Sequence, residues 1–362
     1  MPEHTYAIIM AGGGGTRLWP VSRSNRPKQL LPLIAEETLF QTTVQRLTGA
    51  FAPDHIYVVT VEDQAAELRR QAPHIPPENF LIEPAPRGTA SVVGLAAAIL
   101  HARDPQAVMC VLPSDHFIRN RDLFHLILRV AVDVARHDYL VTLGITPTYP
   151  ATGYGYIQRG QPLPENFGYP VYRVQRFKEK PGESEAREMF RSGDYSWNSG
   201  MFIWKTERIL AEIAAQMPDL SAALGRIAAA DAPNRAAVIE SVWPDLTNET
   251  IDYGIMEKAS NVAVLPAGGL EWSDVGSWDS LFDVLMPDEN GNIVFSGEHI
   301  ALETSKSLVY GNRDGRLIVT IGVEDLIIVD AGDVLLVCHV NDAQKVRQVV
   351  SLLRANGRAH YT

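Results

Sequence analysis

The residues best suited to chemistry form a loop near the start of the chain that is rich in glycine and in basic side chains. Four glycines occupy positions 12–15, and four cations lie within twelve residues behind them, Arg17, Arg23, Arg26 and Lys28. Glycine has no Cβ, so the backbone can turn sharply there and approach a ligand closely. Backbone N–H groups next to fixed cations favour the binding of a polyphosphate. A glycine-rich turn with solvated basic residues is the simpler alternative.

Other catalytic motifs do not match the sequence. No lysine follows the glycines as the P-loop pattern GK[ST] requires, and Arg17 and Leu18 stand where a dinucleotide fingerprint has its third glycine. The second mismatch weighs against a Rossmann-type oxidoreductase. The sequence also contains no G-x-S-x-G, H-E-x-x-H or paired C-x-x-C pattern.

Two aspartates are candidate ligands for a divalent cation. Asp115 follows a strongly apolar run, and Asp274 lies in a tight turn between two tryptophans. Proteins commonly hold Mg²⁺ with one or two carboxylates together with substrate phosphates. Each aspartate could instead cap a helix. They are far apart in sequence, so spacing alone does not place them on one ion.

Several segments resemble motifs of one enzyme family. The run GGGGTRLWPVSRSNRPKQ at 12–29 resembles the signature of sugar-1-phosphate nucleotidylyltransferases, in the form typical of the mannose-1-phosphate guanylyltransferase branch. Further motifs of that family are similar to EPAPRGTA at 83–90, TGYG at 152–155, FKEKP at 177–181, WNSGMF at 197–202 and WSDVGSW at 272–278.

The resemblance implies that GMP is transferred from GTP to α-D-mannose 1-phosphate, with release of pyrophosphate. It assigns Mg²⁺ to Asp115 and Asp274, and catalytic roles to Arg17, Lys28 and Lys180. It implies that Glu179 and Asn198 contact the sugar, that Lys180 holds the sugar phosphate and that Gly153 lets the sugar approach the backbone. The implied nucleotide contacts are Ala11, Gly12, Gly13, Gly14, Gly15, Thr16, Arg17, Lys28, Arg87, Gly88, Thr89 and Ser114.

The sequence departs from the family pattern at two points. Gly88 stands where the family usually has asparagine, which puts recognition of the base or ribose in question, while Thr89 should still begin a helix beside the nucleotide. The segment Thr250–Glu257 begins with threonine where serine is usual, and either hydroxyl can cap a helix. We assign this segment no chemistry, and we interpret His116 as structural.

Two alternatives to this activity remain at the level of sequence. The same chemistry could use another nucleoside triphosphate or another sugar 1-phosphate, such as a glucose or heptose derivative. A non-catalytic nucleotide-sugar-binding subunit could also keep the fold. Such a subunit would be expected to lose a phosphate-binding lysine or a metal-binding acid, yet Lys28, Asp115, Lys180 and Asp274 are all present.

The order of the predicted strands and helices that must position these residues indicates an α/β fold with a mostly parallel, Rossmann-like sheet. Short apolar runs alternate with helical patterns up to about residue 145, as βαβ crossovers require. Ligands bind beyond the carboxyl ends of such strands. The glycine loop, the segment 83–89 and the segment 113–116 each follow a strand. The predicted strands there are Tyr6–Met10, Ile56–Val61, Phe80–Glu83, Val108–Leu112 and Leu140–Ile145. Further along, the patterns predict a strand at Gly200–Lys205, a helix at Arg235–Val242 and a strand at Val262–Pro266.

Turn-forming residues at 287–292 predict a domain boundary. We expect a nucleotidyltransferase catalytic domain at 1–286 and a small all-β domain at 287–362, closed by an amphipathic helix over 342–354. The resemblance implies a left-handed β-helix for the small domain. Such a module could form homodimer contacts or could simply cap the protein.

Composition limits the classes of partner. The chain has 362 residues, 46% of them hydrophobic, and a formal net charge of −11, so we expect no nucleic-acid partner and no anionic membrane surface. Cys110 and Cys338 lie in apolar runs and are interpreted as core residues. We predict no secretion signal and no membrane span, and therefore a cytoplasmic protein.

Overall fold

A computed structural model of the protein describes residues 1–13, 15–34, 36–311 and 316–362. The chain forms two compact units. The first unit contains Met1–Gly12, Val44–Ser114 and Ile118–Trp272, and the second contains Gly13–Thr43, Asp115–Phe117 and Ser273–Thr362. Among the described residues, every helix is too short or too polar to cross a membrane.

Up to about residue 145 the chain largely alternates between strands and helices, as predicted, and beyond it the order is less regular. The first ten strands are β1 Thr5–Met10, β2 Ile56–Val61, β3 Phe80–Glu83, β4 Val108–Pro113, β5 Phe117–Ile118, β6 Leu140–Ile145, β7 Tyr156–Pro162, β8 Tyr172–Lys178, β9 Tyr195–Lys205 and β10 Val262–Pro266. The helices are α1 Leu39–Leu47, α2 Glu62–Gln71, α3 Gly88–Arg103, α4 Arg121–Arg136, α5 Glu183–Ser192, α6 Thr206–Gln216, α7 Pro218–Ala229 and α8 Arg235–Val242.

The first unit is built on a sheet with the strand order β3-β2-β1-β4-β9-β6-β10-β8-β7. Strands β1 to β4 pair in parallel, and β6 pairs in parallel with β10. β9 lies between β4 and β6 and runs antiparallel to both, so the sheet is mixed. β1, β4 and β6 are almost fully buried, as is typical of parallel strands covered on both faces. The predicted α/β class is confirmed.

The second unit contains short strands that stack in successive layers. They are β11 Trp272–Ser273, which crosses the boundary of the units, β12 Ile293–Phe295, β13 Glu298–Leu302, β14 Leu308–Tyr310, β15 Leu317–Ile321, β16 Leu326–Asp330 and β17 Leu335–His339. β12, β14 and β16 form one parallel ladder, and β13 and β15 form another. Two successive coils therefore contribute one strand to each ladder, as in a β-helix, and β16 adds a third strand to the first ladder. The helix α9, Val346–Ala355, follows a 3₁₀ turn at Val340–Lys345.

Part of the glycine-loop signature packs inside the second unit. Leu18 and Trp19 are buried in the same apolar cluster as Trp278 and Val329. The Trp278 indole donates a hydrogen bond of 2.9 Å to the Trp19 carbonyl oxygen. These signature residues therefore serve packing, and the chemistry is left to the polar residues that flank them.

Candidate active site

Lys28 connects both predicted metal-binding aspartates within the second unit. It opens a 3₁₀ turn, Lys28–Leu30, and its side chain is only 7% exposed. Its Nζ donates to Asp115 Oδ2 at 2.8 Å and also to the Asp274 carbonyl oxygen. Burial raises the pKa of Asp115, but the charges of Lys28 and His116, together with hydrogen bonds to the carboxylate, outweigh this and hold that pKa below its usual range. Asp115 is therefore anionic at neutral pH.

The Asp274 carboxylate is held over the backbone of Gly276. The Gly276 N–H donates to Asp274 Oδ1 at 3.0 Å, and Val275 between them adopts a left-handed φ of 46°. A Cβ on Gly276 would lie 2.6 Å from Asp274 Oδ2, closer than real contacts allow. The carboxylate can keep this position only because residue 276 is glycine.

The donor set around Lys28 fits Mg²⁺. The described residues contain no group of three or more histidine, cysteine, aspartate or glutamate side chains suited to a metal. Two carboxylates, from Asp115 and Asp274, nevertheless match the one or two that Mg²⁺ usually takes from protein when phosphates supply further oxygens. Nucleotidyltransferases generally use a divalent metal ion.

The glycine loop is fixed against Lys28 and its neighbour. Gly15 has a left-handed φ of 41°, and a Cβ there would lie 2.6 Å from Lys28 Cβ. The Gln29 amide donates to the Gly13 carbonyl oxygen at 3.0 Å. Thr16 and Arg17 continue into a 3₁₀ turn in which Arg17 is exposed. Gly14 lies outside the described residues.

Arg23, another cation of the predicted cradle, has a structural partner in the second unit. Its guanidinium makes a two-pronged contact with Asp333, at 2.8 and 2.5 Å. Two parallel hydrogen bonds to one carboxylate fix the orientation of the guanidinium. Arg23 therefore links the signature segment to the β-helix-like module, and Arg17 and Lys28 stay the predicted phosphate-binding cations.

In the first unit, the end of β1 meets a buried glutamate. A Cβ on Gly12, next to Ala11, would lie 2.7 Å from Glu83 Oε1. Glu83 is 2% exposed, and its Oε2 accepts no hydrogen bond from the described residues. Burial raises the pKa of Glu83 to about 7, although a hydrogen bond from the main-chain N–H of Arg87 acts to lower that pKa. The Ser114 N–H donates to the Met10 carbonyl oxygen at 3.1 Å.

The structure explains why residue 88 is glycine. Gly88 begins α3 with a φ of 78°, and a Cβ there would lie 2.6 Å from the Glu249 carbonyl carbon and closer still to its oxygen. The Thr89 hydroxyl accepts the Ile251 N–H at 2.9 Å, and Arg87 donates to the Pro244 carbonyl oxygen at 2.7 Å. The segment 244–251 therefore occupies the space that an asparagine side chain would need.

Three of the predicted sugar-binding residues, Glu179, Lys180 and Asn198, gather around Gly155 in the first unit. Lys180 adopts a left-handed φ of 45°, and its Nζ lies 2.5 Å from Glu179 Oε1. A Cβ on Gly155 would overlap Glu179 Oε2, whereas one on Gly153 would meet no described atom within 4 Å. The close approach of backbone to side chain is thus at Gly155, and the role of Gly153 stays a prediction.

Asn198 lies on β9, where the pairing of β9 with β6 shifts register between Thr142 and Gly144. Its Oδ1 accepts from the Thr142 hydroxyl at 3.1 Å and from the Gly200 N–H at 3.2 Å. Its Nδ2 donates to Asp252 Oδ1 at 2.8 Å. Burial, with the negative charge of Glu179, raises the pKa of Asp252 to about 7.

Comparison with known protein families identifies the two parts of the chain. Residues 6–291 match the family described as "Nucleotidyl transferase", and residues 297–353 match the "MannoseP isomerase/GMP-like beta-helix domain". The chain is therefore a nucleotidyltransferase with a β-helix-like module.

Relatives over nearly the whole chain narrow the class. Mannose-1-phosphate guanylyltransferase of Klebsiella pneumoniae is 39% identical over 98% of this chain and 75% of its own length. The alginate biosynthesis protein AlgA of Pseudomonas aeruginosa is 38% identical over 97% of this chain and 73% of its own length. A crystal structure titled mannose-1-phosphate geranyltransferase, from Thermus thermophilus, is 36% identical with a TM-score of 0.86, covering 97% of this chain and 99% of that one. The chain belongs to the mannose-1-phosphate guanylyltransferase family.

Proposed function

We propose that the protein transfers GMP from GTP to α-D-mannose 1-phosphate, forming GDP-mannose and pyrophosphate. An oxygen of the sugar phosphate attacks the α-phosphorus of GTP, and a new P–O bond forms as the bond to the β-phosphate oxygen breaks. Pyrophosphate leaves with that electron pair. The contact of Lys28 with both Asp115 and the Asp274 backbone carries the proposal, because it gathers a cation and two acids that are distant in sequence.

The second unit supplies the groups that handle the triphosphate. The N–H groups of the glycine loop and the Arg17 guanidinium bind phosphate oxygens. Lys28 stabilises negative charge that develops on the α-phosphate and on the departing pyrophosphate. Asp115 and Asp274 would hold Mg²⁺, which supplies further positive charge to the phosphates when bound.

The first unit supplies recognition of the sugar and the base. Glu179, Asn198 and Gly153 orient the mannose, and Lys180 binds its phosphate. Ionised Glu83 can only accept hydrogen bonds, and its buried Oε2 suits the donor groups that guanine presents on its Watson–Crick edge. Arg87, Gly88 and Thr89 support the nucleotide beside it.

A pyrophosphate-release assay over a matrix of nucleoside triphosphates and hexose 1-phosphates tests the function. We expect a single maximum for GTP with mannose 1-phosphate, abolished by EDTA and restored by Mg²⁺. A maximum for another pair would correct the substrates. Binding of nucleotide sugar with no release from any pair would refute the enzyme and support a binding subunit.

The proposal also covers assembly and location. β13 and β15 expose large apolar side chains, including Ile300 at 54%, Val319 at 51% and Ile321 at 63%, which suit a homodimer through the β-helix-like module. Sedimentation at equilibrium tests this, since a chain that stays monomeric at micromolar concentration contradicts it. Cys110 and Cys338 are free thiols, which suits a reducing cytoplasm. The net charge of −11 gives no reason to add a nucleic-acid or membrane partner.

A further inference from the structure

A π-helix within the segment 249–257 lies against the predicted sugar-binding residues. It spans Asp252–Met256, and the Glu257 N–H donates to the Asp252 carbonyl oxygen at 3.0 Å. This is a bond between residues five apart, which defines a π turn. It places residues 252 and 257 one above the other, on the same side of the turn. Single π turns of this kind are frequent at functional sites.

Both residues on that side carry a carboxylate, and each carboxylate accepts a hydrogen bond from a predicted sugar-binding residue. Asp252 Oδ1 accepts from Asn198 Nδ2 at 2.8 Å. Glu257 Oε1 accepts from the main-chain N–H of Glu179 at 2.9 Å. One turn of helix therefore holds a side-chain amide on β9 and the backbone at the end of β8.

The bond from Asn198 to Asp252 fixes which way the amide faces. Asn198 Oδ1 already accepts two hydrogen bonds, from Thr142 and Gly200, so both of its lone pairs are used. An amide flip would place Nδ2 against the Gly200 N–H, a donor-to-donor contact, and would turn the amide oxygen towards Asp252. With one Nδ2 hydrogen on Asp252, one hydrogen of the amide is left for a ligand.

The bond from Glu179 to Glu257 fixes the backbone next to a strained residue. Lys180 has a left-handed φ of 45°, a conformation that a residue with a side chain rarely adopts unless its surroundings hold it. The Glu257 carboxylate binds the N–H one residue earlier and so anchors the chain at the point where it bends. The bend sets the direction of both the Glu179 and the Lys180 side chains.

The π turn is itself held on both sides. A Cβ on Gly254 would lie 2.8 Å from Met217 Sδ, so the turn packs directly against the junction of α6 and α7. At its start, the Ile251 N–H donates to the Thr89 hydroxyl. The turn is therefore a fixed support for the side chains it carries.

We propose that Asp252 and Glu257 are positioning residues for mannose 1-phosphate, which fix the Asn198 amide and the Glu179–Lys180 backbone in the orientation that binds the sugar phosphate. This inference rests on the proposed function. Neither residue need touch the substrate, since each acts through the predicted ligand that it holds.

Four variants and one control test the inference. Asp252→Ala and Glu257→Ala each remove an acceptor, whereas Asp252→Asn and Glu257→Gln each keep an acceptor oxygen of the same reach. Glu240→Ala, an exposed carboxylate on α8, is the control for a lost negative charge. Steady-state kinetics of pyrophosphate release, with each substrate varied in turn, give separate KM values. Calorimetric titration with mannose 1-phosphate gives the affinity without turnover.

We expect each alanine variant to raise the KM and the dissociation constant for mannose 1-phosphate by roughly tenfold, the loss of about one hydrogen bond. The KM for GTP should change by less than twofold, and the amide variants should recover most of the affinity. Unchanged affinity for mannose 1-phosphate in both alanine variants overturns the inference. Equal changes in the KM values for the two substrates also overturn it, as do amide variants that bind mannose 1-phosphate as weakly as the alanine variants. Should Asp252→Ala not fold, Glu257→Ala decides alone. A wild-type protein that turns over another sugar 1-phosphate, or that binds no mannose 1-phosphate, refutes the proposed substrate before any variant is measured.

Discussion

Replacing Gly88 with asparagine, the residue usual in the resembled family, should damage this protein. Gly88 has a φ of 78°, and a Cβ there would lie 2.6 Å from the Glu249 carbonyl carbon and 2.9 Å from the Glu249 nitrogen. The obstacle is backbone, which cannot rotate away as the end of a long side chain can. Glu249 is also tied on both sides, because its N–H donates to the Arg87 carbonyl oxygen and its own carbonyl oxygen accepts from the Ala90 N–H.

The cost has two parts that a control can separate. An asparagine at left-handed φ costs about 1 kcal/mol or less, since asparagine tolerates this region better than most residues. Forcing extra atoms into a packed site typically costs about 1–3 kcal/mol more. Gly49 has a φ of 82°, and a Cβ there would meet no described atom within 4 Å, so Gly49→Asn carries the first cost without the second. We therefore expect Gly88→Asn to be less stable than Gly49→Asn by about 1–3 kcal/mol.

Melting temperatures of the wild type and both variants, recorded at one scan rate, measure the difference. Kinetics with GTP add a second readout, because displacement of Glu249 disturbs the start of α3 and should raise the KM for GTP in Gly88→Asn alone. Equal melting temperatures for the two variants would show that the backbone at Glu249 moves aside at little cost in stability. A lower KM for GTP in Gly88→Asn would show that asparagine recognises the nucleotide here as well, and would refute our explanation of the glycine.

Further predictions concern the charged residues. Lys28→Met should lower kcat by about 10²–10³ in a folded protein, because it removes a cation aimed at developing charge, and a near-normal kcat contradicts this role. Gly276→Ala should displace the Asp274 carboxylate and raise the Mg²⁺ concentration for half-maximal rate, whereas Gly182→Ala, where a Cβ meets no described atom within 4 Å, should not. Glu83→Gln should raise the KM for GTP. Because the pKa of Glu83 is about 7, its carboxylate becomes protonated as the pH falls from 8 to 6, and the wild type should bind GTP less tightly. A GTP affinity that does not change with pH would show that Glu83 does not recognise the base.

Much of the first unit was predictable because its apolar runs are bounded by polar and turn-forming residues. The predicted bounds of α8 and β10 match the structure, and those of β2 and β6 do as well. The start of β9 was predicted five residues too late, at Gly200 instead of Tyr195. The sequence WNSG has the composition of a turn, but pairing with β6 and β7 extends the strand through it. As a result, Asn198 lies on a strand and not in the turn that precedes one.

The candidate site was predictable as a set of residues but not as an arrangement. Nothing in sequence spacing joins Lys28 to Asp115 and Asp274, and only the fold of the second unit does so. The segment 250–257 gave no chemical signal either, because its acids are five residues apart. That spacing places two side chains together on a π turn and not on an α-helix, whose neighbours are three or four apart.

The glycines of the motifs also have a different use from the one that sequence reasoning assigns. From the sequence, the glycines at 12–15 and Gly153 are expected to let a ligand approach the backbone. In the structure, several glycines are instead approached by a charged side chain of the candidate site. They pair as Gly12 with Glu83, Gly15 with Lys28, Gly155 with Glu179 and Gly276 with Asp274.

This division gives the motif glycines two separable functions. At Gly13 and Gly153 a Cβ would meet no described atom within 4 Å, so an alanine there changes only what a ligand meets. At Gly15 an alanine must move Lys28, whose Cβ would lie 2.6 Å away, and at Gly155 it must move the Glu179 carboxylate, which orients the sugar. Alanine at the first pair should therefore alter substrate KM values with little change in the intrinsic reactivity of the site. Alanine at the second pair should lower kcat even with saturating substrates, because a displaced charge no longer meets the transition state where it forms.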